Sequence, residues 1–230
     1  MTAEKLRDIL SASGSPSRAR ESRFFLEVHV IHVSRGNSKI GHTPNISLPP
    51  GPTCQPGVPC AADCYAKKAY RQYEGTRKAW DENLAEYVKS PIGYFDQIEK
   101  YLTHHPAAFF RWHVAGDIPD LFYLDGILRI ANSFPLTGFL AYTRFPFEDK
   151  GIDIPDNLTI IRSLWFYDRP MNNKYPHFGV TSSEFYEEMK ALQDAGKPLP
   201  AGLSICEGSC ETCRKCWNAQ AGELIINKKH

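Results

Sequence analysis

Hydrophobic and polar positions change rhythm twice along this chain. FFLEVHVIHV, from Phe24 to Val33, has the β-branched and aromatic density of a strand. SRGNSKIGHTPNISLPPGPTCQPGVPC then shows no period, and its glycines and prolines exclude regular structure over most of its length. Unstructured passages this long in a domain are functional or cover something. Helical spacing takes over from Cys64 to about Tyr73, across TRKAWDENLAEYVKS, and after Pro91 through GYFDQIEKYL. Pro91 suits a first helical turn.

From Ala108 onward the two periods alternate. AFFRWHVAG reads as a strand ending at Gly116–Asp117, and IPDLFYLDGILRIANSF as a helix with an aliphatic stripe at Leu121, Leu124, Ile127, Leu128 and Ala131. TGFLAYTRF, NLTIIRSLWFY and HFGVTS are strands. SEFYEEMKALQDAG is a helix with Ser182 or Ser183 as N-cap and Gly196 as its stop. PAGLSIC is a last strand leading into cysteines. Strands alternating with helices predict an α/β fold with a mostly parallel sheet. The sheet is either an open doubly wound one or a small or incomplete TIM-like (βα) barrel, and the barrel is preferred because cysteine groups far apart in sequence then meet at its C-terminal face. Residues 1–23 read as a flexible segment after a short amphipathic start, 24–222 as one domain, and 223–230 as a polar tail that frays.

Those cysteines carry the chemistry. Cys54, Cys60 and Cys64 lie in TCQPGVPCAADCYAKKAY, and Cys206, Cys210, Cys213 and Cys216 in ICEGSCETCRKCW. Overlapping C-x-x-C steps let one short loop wrap a compact centre, as in ferredoxin-like runs where three close thiolates and one remote thiolate hold a 4Fe–4S cubane. Zinc is the alternative, although knuckles that share Cys213 suit a tetrahedral ion poorly. An odd number of cysteines and no secretory leader argue against disulfides and for the cytoplasm. The expected ligands are Cys210, Cys213 and Cys216 with Cys64, which opens a helix whose dipole favours thiolate. Cys206, Cys60 and Cys54 are next in line, for a second centre or simple packing.

The strand ends supply the remaining candidates, since the active face of such a sheet lies at the C-terminal ends of its strands. They deliver His113 and Asp117, then Tyr142 and Arg144, then Asp168. His113 could equally be a core histidine, Asp117 a helix cap, and Arg144 a partner for Asp117 or Asp168. No nucleotide fingerprint, P-loop, nucleophile elbow or H-E-x-x-H motif is present. Lys+Arg 27 against Asp+Glu 26 argues against indiscriminate nucleic-acid binding, and no stretch has the length of a membrane span.

NSKIGHTPNISLPPGPTC, CYAKKAY, RWHVAGD, YTR and the terminal C-x-x-C-x-x-C-W together resemble the phage and bacterial family called gene product 88, over most of the chain from Asn37 to Trp217. That family is similar to the barrel-forming relatives of radical S-adenosylmethionine enzymes, so the resemblance implies a cluster protein on a TIM-like barrel. The radical C-x-x-x-C-x-x-C signature is broken, because Lys67 stands where its third cysteine belongs. The expected function is therefore non-redox hydrolysis of small esters or amides by His113, Asp117, Tyr142, Arg144 and Asp168, with the cluster structural. A redox or radical enzyme and a cluster-pinned nucleic-acid-binding protein are the rivals.

Overall fold

The computed structural model describes residues 30–165 and 174–228. Eight strands form one sheet: β1 (Val33–Ser34), β2 (Asn45–Ile46), β3 (Phe109–Trp112), β4 (Gly138–Thr143), β5 (Leu158–Trp165), β6 (His177–Thr181), β7 (Leu203–Ile205) and β8 (Leu224–Lys228). Their order is β1-β2-β3-β4-β5-β6-β8-β7, parallel throughout except for the antiparallel β1–β2 pair. Among the described residues β1 and β7 do not pair, so the sheet is open and the expected barrel does not close. Most of the strand expected from Phe24 lies outside the described residues.

The polar tail is also corrected. Lys228 and its neighbours mask LII in the sequence, yet β8 inserts between β6 and β7 with Ile225 and Ile226 buried on opposite faces. A strand covered on both sides loses the alternation that would mark it.

Three helices between β2 and β3, α1 (Tyr65–Gln72), α2 (Glu74–Lys89) and α3 (Pro91–His104), are joined by α4 (Leu121–Ser133) after β3. Their starts follow the expected chemistry: Ser90 Oγ accepts from Gly93 N–H, Asp120 caps α4 through Tyr123 N–H, and Pro91 opens α3. The apolar faces of α2, α3 and α4 bury Leu84, Tyr94, Phe95, Ile98, Tyr123 and Ile127 against Phe110, Trp112, Phe139 and Ile160 of the sheet. α5 (Ser183–Asp194), capped by Ser182 as expected, packs Met189 against Ile205 and Ile226 farther along.

The opposite face of the sheet is covered differently. Phe109, Leu140, Tyr142, Ile161, Phe178 and Ile225 meet the C-terminal cysteine segment, with Cys216 and Trp217 buried in the contact. Trp217 Nε1 donates to Gly138 O at 3.2 Å, and Thr159 Oγ1 donates to Trp217 O at 2.8 Å. The segment therefore crosses the sheet from strand ends to strand starts, instead of capping only the C-terminal face.

Candidate metal centre

Each cysteine group is delivered by its own loop. After β7, Cys206 N–H donates to Ile226 O, and the chain turns through the single helical turn α6 (Cys210–Cys213). Cys210 N–H donates to Lys39 O at 2.9 Å, which ties this turn to the loop before β2. Cys206, Cys210, Cys213 and Cys216 line one pocket, closed on its apolar side by Trp217 and Ile225. The Tyr142 hydroxyl donates to the Cys216 sulfur.

Cys54, Cys60 and Cys64 come from the long loop after β2, and they are electrostatic neighbours of one another. Gly51 N–H donates to Cys54 Sγ at 3.3 Å. A turn at Pro59–Ala61 carries Cys60, and Cys64 caps α1 as expected. The expected set is thus split differently: Cys64 stands with Cys54 and Cys60, while Cys206 completes the group of Cys210, Cys213 and Cys216. Sequence spacing favoured Cys64 as the remote fourth ligand. β7 ends at Ile205 and hands over Cys206 directly, as the strand read in PAGLSIC anticipates.

All seven cysteines are free thiols. Burial pushes Cys54 and Cys216 up to about 11, and also raises Cys60 and Cys210. A metal would have to displace these protons, so loading would release acid. No three His, Cys, Asp or Glu side chains among the described residues converge as a site for one metal ion.

Arg111 is an electrostatic neighbour of the four-cysteine group. Its guanidinium sits 4.6 Å from the centroid of the Tyr142 ring, and its Nε is buried with no hydrogen-bond partner among the described residues. Its charge acts on Cys210 and Cys216 and also on Tyr65, which follows Cys64 in the chain, in each case favouring the anion. Tyr65 OH donates to Val114 O. A buried guanidinium atom without an acceptor is costly unless an anion faces it. Thiolates holding an iron–sulfur centre would be such an anion.

The expected acid–base residues go to three separate surroundings. His113 points into the helical core, its Nε2 3.0 Å from the Tyr123 hydroxyl, and burial followed by Arg111 holds it down to about 3. It is a neutral core histidine with a left-handed φ of 54°. Asp117 accepts from Thr143 Oγ1 at 2.5 Å, Ile118 N–H at 2.7 Å and Arg144 N–H at 2.9 Å. Burial nevertheless raises it to about 6. Thr53 Oγ1 accepts from Asp117 N–H, so the backbone of Asp117 fastens the Cys54 loop while its carboxylate ties the ends of β3 and β4 together. The charge of Arg144 lowers Cys60, which brings Arg144 and Asp117 to the three-cysteine group. Tyr142 belongs to the four-cysteine pocket. Asp168 lies outside the described residues. Sequence reasoning missed Arg111, whose only signal was a cation alternating with Phe110 and Trp112 in a buried strand.

The family model of gene product 88 matches residues 31–219, a span that contains every cysteine described above. The chain belongs to the gene product 88 family. No curated protein and no solved structure matches it. In this gene product 88 chain the matched span ends just after Trp217 and leaves out β8, although β8 completes the sheet under the cysteines. No helix among the described residues is long and apolar enough to cross a membrane.

Proposed function

We propose that the chain is an iron–sulfur enzyme of the redox kind, with one centre on Cys206, Cys210, Cys213 and Cys216 and another on Cys54, Cys60 and Cys64. The observation that carries this reading is Arg111, a guanidinium whose buried Nε has no hydrogen-bond partner among the described residues and whose charge acts on Cys210, Cys216 and Tyr65 beside Cys64. Bound there, the clusters would supply one-electron chemistry and, with only three thiolates, an iron open to an exogenous ligand. Arg111 offsets their negative charge, Tyr142 holds Cys216, and Asp117 fixes the loop of Cys54 against Arg144. Seven free thiols fit a reducing compartment such as the cytoplasm.

Ester or amide hydrolysis is the weaker proposal. It needs an acid–base pair, and His113 and Asp117 face different surroundings. The radical form of the redox reading is favoured by the three-thiolate set alone, and cleavage of S-adenosylmethionine by the reduced protein would establish it.

Anaerobically purified protein should be brown and give an electron paramagnetic resonance signal after dithionite. One zinc per chain with no visible absorption would overturn the proposal.

A further inference from the structure

At the end of the sheet away from the three-cysteine group, a cavity of about 470 Å³ opens where β2 and β3 begin. That volume falls within the range of small-molecule sites, roughly 300–1,000 Å³. Arg35, His42, His105 and Arg214 line it, with Tyr101 and Phe109, and no acidic side chain does. The net charge of the whole chain is only +1, so this concentration of cationic and imidazole groups is local.

Arg214 is held in place. Its guanidinium lies 4.1 Å from the Phe109 ring centroid and 5.1 Å from that of Trp217, and it donates to Thr43 Oγ1 at 3.1 Å. One hydrogen bond leaves most of its five N–H donors for another acceptor. Its backbone is left-handed, with φ 55°, a conformation that non-glycine residues seldom adopt. On the opposite rim Tyr101 and His105 stack with centroids 4.6 Å apart at 20°. That pair presents a flat aromatic surface to a third ring.

We propose that this cavity binds a phosphate monoester carried on a planar ring, of which a nucleoside monophosphate is the representative. Two guanidiniums from separate loops exceed what one carboxylate can use, whereas the terminal oxygens of a phosphate can engage both. The Tyr101–His105 stack takes the ring. The site is distinct from the proposed redox centres, although Arg214 sits between Cys213 and Cys216 and so joins the cavity wall to the cysteine turn.

Calorimetric titration of the intact protein with adenosine 5′-monophosphate tests the assignment, with adenosine, ribose 5-phosphate and inorganic phosphate as comparisons. Adenosine 5′-monophosphate should bind with Kd of about 1 mM or tighter, and each fragment at least about tenfold more weakly. Arg35→Gln, at an exposed position, should weaken the nucleotide about tenfold without moving the melting temperature. Equal binding of adenosine, no binding, or an unchanged Kd in Arg35→Gln would overturn it. So would preferential binding of a single-stranded oligonucleotide with a steep salt dependence, which would mark a nucleic-acid surface instead.

Discussion

Two buried residues decide how this protein responds to its surroundings. His113 is neutral in the fold, and its folded pKa of about 3 lies below the ordinary histidine value near 6.5. Its contribution to stability is therefore complete above about pH 6.5 and is lost as pH falls toward 3, where the unfolded chain takes up the proton first. Asparagine tolerates the left-handed φ and does not titrate. Between pH 7 and 5, His113→Asn should recover about 2 kcal/mol of urea-derived stability relative to wild type. An identical pH slope in both proteins would place His113 in contact with water. Arg111 acts on the proposed centres instead. Removing its charge with Arg111→Leu makes an added electron less welcome, so the midpoint potential should fall by on the order of 60 mV, about tenfold for a one-electron couple. Potentiometric titration measures the shift, and an unchanged potential would detach Arg111 from the clusters.

At the scale of elements, α3 and α4 pack closely at Gly126. A Cβ added at Gly126 would meet the Phe95 ring at 2.2–2.5 Å. In an open helix, alanine for glycine stabilises by about 1 kcal/mol. Here overpacking costs about 1–3 kcal/mol and wins, so Gly126→Ala should lower the denaturation midpoint. A rise would mean that Phe95 has room to move. The same helices show what the sequence made legible. α3, α4 and α5 were readable because their stripes and the starts at Pro91 and Ser182 are local properties. β3 through β7 were readable from β-branched and aromatic runs. β8 was not, because three apolar residues between charges look like a tail until two flanking strands bury them. Closure of the sheet was unreadable for a related reason: it depends on how edge strands pair, and a two-residue strand such as β1 leaves little trace in composition.

Across the whole molecule, the cysteines were visible at once and their partnership was not. The sequence separates Cys64 from Cys206 by 142 positions, and only the path of the chain over the sheet decides which thiols are neighbours. The acid–base candidates failed to converge because strand ends alone do not specify facing. His113 turns under the helices, while Tyr142 turns toward the cysteines. Two thiol groups, one of them facing Arg111, sit on a sheet whose other face is an ordinary helical core. The most direct test is the iron and sulfide content, measured anaerobically, of wild type and of a variant with Cys54, Cys60 and Cys64 all changed to alanine. Two cubanes predict about eight irons in wild type and about four in the variant, which keeps its brown colour. Complete loss of iron in the variant would mean one centre bridging both groups, and iron unchanged from wild type would leave the first three cysteines without a metal.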